Sequence, residues 1–588
     1  MSDRAGSRSR RGTVLAALAV FLVGVGMRTL PLHWTPLPYN VDGFHFAALA
    51  HRAGRTGHLS AAAQFIHPDE FVFTAYLTAV SQATGVAPLH VAQLLVAVIG
   101  TVPALVVFVL VWGICEQLGW RRSHTRLAAV LGGLLLSLDG VYLGRSAAVS
   151  SEMLGHALVV LTALAFYRAL RTERPAWMAL TLGFVVALPL THNLSALVGA
   201  LVLLAIFVRS LGVRTHVPTR RRAVFGSAIV ALFWLDMLVY YQHTNLTAAG
   251  YVTALPGLLV AWMVFLVLFA GWLPSAGTVV QRFLPTFAVG GVGTLLVANH
   301  FLPIFPGSAS TAPLQLALLV PLALVGLVAA WGLPKLARDA GPSVVVVGLL
   351  VGPLVLIGFA MTGSLTHEYE ALAVRGQVFA HFALAALAAI TAVDIGLRRK
   401  SSSVPTLGRR AVVPLVALCV VASAPFAFAG LHATPAQPTV TPTEFATGTF
   451  AANHVQGGWI GDGHMVIMTT NYYKDRTSAQ YTPLYEWLKS GGGSTKGGTV
   501  APDTPPPACP IVAQRSWTTL GAQVFPASPT KISADRYDHL TANRSVVYSA
   551  SGRDPLVVTT PRRAGNCPVG PNEGPAAGLS SPRNESGS

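Results

Sequence analysis

The chain has 588 residues, of which 53% are hydrophobic and only 11% are charged, whereas about 25% of residues are charged in soluble proteins. Lys and Arg outnumber Asp and Glu by 40 to 23, and the basic residues fall between long apolar runs. This composition excludes a soluble globular protein. It also argues against nucleic-acid binding, because the positive-inside rule for membrane helices already accounts for the charge.

Continuous apolar runs predict an α-helical polytopic membrane protein, since only helices or closed barrels span a bilayer and barrel strands alternate. About 13 spans are predicted, near residues 13–30, 91–115, 127–143, 153–170, 176–192, 195–209, 223–242, 252–273, 283–303, 314–333, 342–362, 377–396 and 411–431. The first run lacks an obvious cleavage site of small residues, so we interpret it as a retained signal anchor. The basic clusters predict a multi-pass protein of the cell membrane with a cytoplasmic N-terminus and an extracytoplasmic C-terminal domain.

Three domains are predicted along the chain. Residues 1–431 form the transmembrane domain, whose first outer loop at 31–90 contains two amphipathic helical stretches. Residues 432–570 form a small extracytoplasmic α/β domain, with strand-like segments in GGWIGDGHMVIMTTNYY and RSVVYSASGRDPLVVTTP. Residues 571–588 have the composition of a disordered tail.

The first outer loop contains the stretch YNVDGFHFAALAHR, which places Asp42 and His45 at the start of a predicted helix. Two interpretations are open for Asp42. Its carboxylate caps the first turn of the helix, or it also takes part in chemistry at the outer membrane surface.

The next outer loop reads GVYLGRSAAVSSEMLGHA, with Arg145 and Glu152 at the mouths of the third and fourth spans. Ionisable groups at the edge of the hydrocarbon are costly and often functional. The alternative is an interfacial ion pair that anchors the helix ends. His192, at the outer end of the fifth span, is either an interfacial residue or a further member of the site.

The loop before the twelfth span reads GSLTHEYEALAVRGQVFAHF and holds His367, Glu368 and Glu370, followed by Arg375. Topology does not require an Arg on the outer side, and its planar fork suits phosphate oxygens. Alternatively, Arg375 snorkels to the interface and pairs with one of the two glutamates.

Four cysteines are present, and two of them, Cys509 and Cys567, lie in the predicted extracytoplasmic domain. Because disulfides persist in oxidising compartments, these two cysteines are candidates for a disulfide, with two free thiols as the alternative.

The stretches YLGRSAAVSSEMLGHA and NVDGFHFAALA resemble the second- and first-loop motifs of oligosaccharyltransferase catalytic subunits, which belong to the GT-C membrane glycosyltransferases. The resemblance implies that Asp42 and Glu152 hold a divalent metal or position the acceptor. It also implies that a basic residue on a late helix, here Arg375, meets the lipid phosphate. The family's WWDYG element is missing: the nearest string is GWIGDGH, in which Asp462 is interpreted as a turn residue.

The predicted function is therefore the transfer of a sugar from a polyprenyl-phosphate donor to an acceptor on the extracytoplasmic side. Asp42 and Glu152 are the predicted catalytic residues, and Arg375 and Arg145 the predicted phosphate ligands. Carboxylates suit Mg²⁺ or Mn²⁺, so a divalent cofactor is expected, with metal-free general-base catalysis by Asp42 as the alternative. The expected partners are the lipid-linked donor, membrane lipids and an acceptor that the sequence does not identify.

Two other functional classes stay open. A transporter or flippase would place a polar site near the bilayer midplane, for which Asp236 in the seventh span is the best candidate. A non-catalytic assembly protein would use its outer domain for binding. A transferase would instead gather Asp42, Glu152 and Arg375 in one cavity.

Overall fold

The computed structural model describes residues 2–59, 66–212, 220–244, 254–304, 310–337, 341–398, 410–428, 439–490, 505–523, 529–542, 544–551, 554–562, 567 and 569. The chain divides into two compact units. The helical unit comprises Met1–Leu30, Arg52–Val86 and Val91–Ala429. The mixed unit comprises Pro31–His51, Ala87–His90 and Gly430–Ser588.

Seventeen α-helices precede the C-terminal segment within the described residues. They are α1 (Ser2–Thr29), α2 (Asp42–Thr56), α3 (Phe71–Thr84), α4 (Pro88–Ile99), α5 (Val102–Gln117), α6 (Arg122–Leu138), α7 (Gly140–Ala147), α8 (Ser151–Thr172), α9 (Pro175–Ala187), α10 (Asn193–Gly212), α11 (Arg220–Thr244), α12 (Pro256–Trp272), α13 (Thr278–Phe301), α14 (Pro313–Ala337), α15 (Ser343–Gly363), α16 (His367–Val393) and α17 (Val412–Ser423).

The predicted fold class is confirmed, and each predicted span overlaps one apolar helix or two consecutive ones. In the part of the chain that the structure describes, nine helices are long and apolar enough to cross a membrane. The bent pair α6–α7 adds a tenth, and three shorter apolar helices match the other predicted spans. Both amphipathic stretches of the first outer loop are helical, as α2 and α3.

The predicted span 127–143 is wrong in one respect, because it is not a single helix. Helices α6 and α7 meet at 61°, with Asp139 between them. The Asp139 carboxylate accepts hydrogen bonds at 3.0 Å from the backbone N–H groups of Val141 and Tyr142. An Asp side chain that binds backbone donors in this way ends one helix and caps the next.

Helices α8 and α16 lie in the interior of the helical unit. In the most apolar part of α8, 78% of the residues are buried, and the figure is 89% for Glu368–Leu397, the stretch that contains most of α16. For α13, at the periphery, it is 6%. Polar side chains on α8 and α16 are therefore held by protein on most sides, whereas most of α13 faces the surroundings of the unit.

The mixed unit contains a five-stranded sheet in the order β2-β1-β3-β5-β4. Strand β1 is parallel to β2 and β3, and the β3–β5 and β5–β4 pairs are antiparallel. The strands are β1 (Gly458–Ile460), β2 (Ser478–Gln480), β3 (Ile511–Gln514), β4 (Arg544–Ala550) and β5 (Leu556–Pro561). The helices are α18 (Pro442–His454), α19 (Gly463–Tyr473), α20 (Thr482–Ser490) and α21 (Ala534–Ala542).

Two sequence predictions for this unit have different outcomes. The strands predicted from RSVVYSASGRDPLVVTTP are present as β4 and β5, but in GGWIGDGHMVIMTTNYY only the first residues form a strand and the rest is α19. Cys509 and Cys567 are joined by a disulfide. The predicted domain boundaries at 432 and 570, and the tail 571–588, lie outside the described residues.

Asp462 begins α19 and has a larger role than a turn residue. Its carboxylate accepts hydrogen bonds from the backbone N–H of Met465 at 3.0 Å and from the indole N–H of Trp517 at 3.2 Å. The residue is 1% exposed, and burial raises the pKa of its carboxyl group. Asp462 thus caps the helix and ties it to the sheet, which leaves no accessible carboxylate in the string that replaces WWDYG.

The first outer loop supplies part of the hydrophobic core of the mixed unit. Phe44 of α2 is fully buried in a cluster that also contains Val440 and Trp459. The Thr35 hydroxyl donates to the Val440 carbonyl oxygen at 2.6 Å. The unit is therefore built from two segments that are about 400 residues apart in the chain.

We expect Phe44→Ala to destabilise the mixed unit by about 3–5 kcal/mol, because the change empties a buried aromatic site. Amide hydrogen exchange of the full chain in nanodiscs should then speed up in β1, β3 and α19. His51→Ala, at an exposed position of the same helix, serves as the control and should leave exchange unchanged. Unchanged protection in the Phe44 variant would contradict this account of the core.

Candidate functional site

Glu152 and Arg375, both predicted as site residues, form an ion pair in the helical unit. The Oε2 atom of Glu152 on α8 accepts from Arg375 on α16, at 2.8 Å from Nη2 and 3.2 Å from Nε. The Glu152 side chain is 5% exposed and that of Arg375 is 36% exposed. A buried carboxylate therefore orients a guanidinium that is still accessible from one side.

His192, the weakest of the sequence candidates, joins this pair. Its Nε2 atom lies 3.1 Å from Nη2 of Arg375, and its Nδ1 atom lies 3.0 Å from the Ser195 hydroxyl. Since a guanidinium only donates, Nε2 accepts and the histidine is neutral. Its Nδ1 atom faces the Ser195 hydroxyl and, at 3.3 Å, the backbone N–H of Ser195.

Gly155 explains how α8 approaches His192 so closely. A Cβ atom at this position would lie 2.1 Å from the Ser195 hydroxyl oxygen and 3.2 Å from the Cβ of His192. Any side chain would therefore push the start of α10 away from Glu152. The sequence SEMLGHA combines the acid and the glycine on one helix, three residues apart.

The surroundings of the pair are rich in positive charge. The remaining oxygen of Glu152, Oε1, has no hydrogen-bond partner in the described structure and lies 3.8 Å from Nε2 of His156. Four charged groups act electrostatically on His156, namely the carboxylate of Glu152 and the guanidinium groups of Arg375, Arg145 and Arg28. Three guanidinium groups thus accompany one carboxylate, and this excess favours an anionic ligand.

Arg28 at the end of α1 is fully buried. It donates to the Ser146 hydroxyl and to the Gly24 carbonyl oxygen, each at 3.0 Å, and lies 5.2 Å from the centre of the Tyr142 ring. Its Nη2 atom has no hydrogen-bond partner in the described structure. A buried guanidinium that lacks some of its hydrogen bonds is costly. Its positive charge adds to the potential near Arg145.

The residues around Glu152 do not fit the expected divalent cation. Two Arg side chains act on this carboxylate, one of them in direct contact, and a divalent cation needs several oxygen ligands. The described residues contain no group of three or more His, Cys, Asp or Glu side chains that could hold a metal ion. No step below is therefore assigned to a metal.

Asp42 and His45 belong to the mixed unit, so their predicted approach to Glu152 and Arg375 stays a prediction. Asp42 is the first residue of α2, and its carboxylate accepts from the side-chain amide of Asn40 at 3.0 Å. His45 lies one turn further, with its Nδ1 atom 2.7 Å from Nζ of Lys474.

The other sequence candidates lie in the first turn of α16. Glu368 and Glu370 are half-buried there, and the side chain of His367 lies outside the described residues. For Asp236, the candidate of the transporter hypothesis, the described structure holds neither a hydrogen bond nor an ion pair. It lies on α11, which is 22% buried in its apolar window. Its carboxylate acts electrostatically on the hydroxyl groups of Tyr240 and Tyr241, as does that of Asp69.

Several residues with functional potential were missed by the sequence reasoning. The Nδ1 atom of His381 on α16 donates a hydrogen bond of 2.5 Å to the carboxylate of Asp139, at the bend of α6 and α7. Asp69 accepts from the backbone N–H of Asn193, next to His192, and burial raises the pKa of its carboxyl group. The available signal for Asp139 was an acid within an apolar run. Lys474 directly follows the stretch GGWIGDGHMVIMTTNYY, which was interpreted as strand-like, and no pattern in the sequence singles it out.

Comparisons with solved structures give similarity at low identity. The oligosaccharyltransferase AglB from Archaeoglobus fulgidus, in complex with an inhibitory peptide and a dolichol-phosphate, is 13% identical over 80% of this chain, with a TM-score of 0.47. This chain covers 64% of its length. ArnT from Cupriavidus metallidurans, bound to undecaprenyl phosphate, is 13% identical over 94% of this chain and 98% of its own, with a TM-score of 0.44.

The arabinofuranosyltransferase AftD from Mycobacteria is 13% identical over 94% of this chain and 40% of its own, with a TM-score of 0.40. No family model and no curated protein sequence matches the chain. All three structures are of GT-C glycosyltransferases.

The Glu152–Arg375 pair should show strong energetic coupling. In a double-mutant cycle with Glu152→Gln and Arg375→Gln, we expect a coupling energy of about 1–3 kcal/mol. This is less than the cost of breaking a fully buried pair, because water screens the exposed part of Arg375. Thermal unfolding of the purified protein in detergent measures it.

The matched control is the pair between Arg222 and Glu173, whose atoms are 3.7 Å apart and whose side chains are 22% and 24% exposed. The same cycle there should give less than about 1 kcal/mol. Equal coupling in both cycles would mean that burial does not strengthen the Glu152–Arg375 contact.

Proposed function

We propose that the protein is an integral-membrane glycosyltransferase that transfers a sugar from a polyprenyl-phosphate donor to an acceptor on the extracytoplasmic side. The observation that carries the proposal is the cluster of Glu152, Arg375 and His192. Three separate parts of the chain bring these residues together, and the charged groups around them are mainly guanidinium groups. Such a cluster suits a phosphate that reaches it from the membrane.

The role of Arg375 is to bind the phosphate of the donor through its exposed side. Glu152 and His192 fix the plane of the guanidinium, so little side-chain entropy is lost when the phosphate binds. Arg145, an exposed residue in the last turn of α7, adds a second positive charge. Both charges stabilise the leaving group as the sugar–phosphate bond breaks.

The reaction is a displacement at the anomeric carbon. An acceptor hydroxyl forms the new C–O bond, and the bond to the phosphate oxygen breaks with its electron pair, so polyprenyl phosphate leaves. Asp42, exposed at the start of α2, takes the hydroxyl proton as general base.

The cellular placement is part of the proposal. The basic clusters between the apolar runs place the N-terminus in the cytoplasm and the mixed unit outside the cell membrane. The donor would then enter from the outer leaflet, and its lipid chain would remain among membrane lipids.

The proposal is tested with membranes that contain the full chain and radiolabelled polyprenyl-phosphate sugars. Asp42→Asn should lower transfer by about 10²–10⁴-fold, because the base is lost. Arg375→Leu should lower it by about 10²–10³-fold, because phosphate stabilisation is lost. Arg375→Lys should keep part of the activity.

Arg222→Leu, at the half-buried pair with Glu173, is the matched control and should transfer at the wild-type rate. Full activity of Asp42→Asn would remove Asp42 from the chemistry. Full activity of Arg375→Leu would show that the phosphate binds elsewhere.

A further inference from the structure

Lys474 occupies an unusual position in the mixed unit. It follows the last residue of α19 and begins a short 3₁₀ helix, Lys474–Arg476. Its Nζ atom lies 2.7 Å from Nδ1 of His45, a residue 429 positions away in the chain. Both side chains are half-buried, so this contact forms at an accessible edge of the unit.

The backbone is strained on both sides of this contact. Lys474 has φ 41° and ψ −96°, and Asn40 has φ 102°. They are two of the three non-glycine residues with positive φ in the described structure. Each such conformation costs about 1–3 kcal/mol and tends to occur at functional sites.

The side chains of both strained residues point to functional groups of α2. The amide of Asn40 binds the carboxylate of Asp42, and the ammonium of Lys474 binds the imidazole of His45. Asn471 also holds this segment, since its side-chain amide donates to the carbonyl oxygen of Val41 at 3.4 Å. The start of α2 is thus fixed by residues on either side.

The protonation of the His45 ring follows from the contact. An ammonium group only donates, so Nδ1 accepts and the proton of the neutral ring lies on Nε2. Asp42 and His45 are three residues apart and share one face of the helix. This face therefore presents a carboxylate, a neutral N–H donor and, beside it, an ammonium group.

We propose that Asp42, His45 and Lys474 form an acceptor subsite that selects a hydroxyl next to an oxyanion. Asp42 accepts the hydroxyl proton, and the His45 Nε2–H and the Lys474 ammonium bind the neighbouring carboxylate or phosphate of the acceptor. A neutral imidazole does not cancel the positive charge of the Lys474 ammonium group that contacts it. An acceptor oxyanion is therefore stabilised by a charge-assisted hydrogen bond from Lys474. This inference rests on the proposed glycosyltransferase function and specifies the class of its acceptor.

The test measures two fates of a radiolabelled polyprenyl-phosphate sugar in membranes, namely transfer to the endogenous acceptor and release of free sugar by water. An acceptor subsite affects the ratio of the two, whereas the donor site affects both alike. Lys474→Met should lower the ratio of transfer to hydrolysis at least tenfold, and Lys474→Arg should restore much of it.

Two further variants separate the side chain from the backbone. Lys474→Gly relieves the positive φ but removes the ammonium, so its ratio should be as low as that of Lys474→Met. Arg476→Met removes an exposed positive charge two residues away and should keep the wild-type ratio. Arg375→Leu should lower both reactions and keep their ratio near the wild-type value.

Soluble oxyanions identify the chemistry of the acceptor group. Inorganic phosphate and glucuronate are added separately, and inhibition of wild-type transfer by one of them, with weaker inhibition of Lys474→Met, shows which oxyanion the subsite takes. A wild-type ratio in both Lys474→Met and Lys474→Gly would overturn the subsite alone. A wild-type protein that neither transfers nor releases sugar would overturn the proposed function, and the subsite with it.

Discussion

The helical unit depends on a carboxylate that is buried among guanidinium groups at the end of a membrane helix. An unpaired charge is expensive in such surroundings, so Glu152 needs Arg375, and Arg375 gains a fixed orientation in return. The contact also ties α8 to α16, two of the most buried helices. The same contact thus serves both stability and ligand binding. The Glu152 carboxylate holds the two helices together and leaves one side of the Arg375 guanidinium exposed.

A second polar contact, between Asp139 and His381, is buried and fixes the bend between α6 and α7. The bend at Asp139 frees backbone N–H groups that the carboxylate then binds, and His381 holds the second carboxylate oxygen from α16. Since Arg145 and Ser146 lie in the last turn of α7, the bend sets the direction of the helix that carries them. Gly140 allows the start of α7 to lie directly against Ser423, because a Cβ atom at this position would be 2.1 Å from the Ser423 carbonyl oxygen.

Much of the fold follows from the sequence, because length and apolarity are enough to identify membrane helices. Polar candidates such as Glu152 and Arg375 stood out for the same reason, against an apolar background. Their pairing could not be predicted, since it joins residues 223 positions apart and several acids near Arg375 offered equally good partners. Lys474 and the first outer loop illustrate the other limit. Their contacts arise from packing in the mixed unit, and neither periodicity nor spacing in the sequence records which distant segment completes a core.

The two-segment core of the mixed unit has a consequence for biosynthesis. Phe44 leaves the ribosome long before Val440 and Trp459, its partners in the core. At about 5–20 residues per second, the roughly 400 residues between them take on the order of 20–80 s to translate. During this time the amphipathic helix α2 is without its partners in the core. The apolar face that carries Phe44 therefore stays uncovered by its final neighbours until the end of the chain has been made.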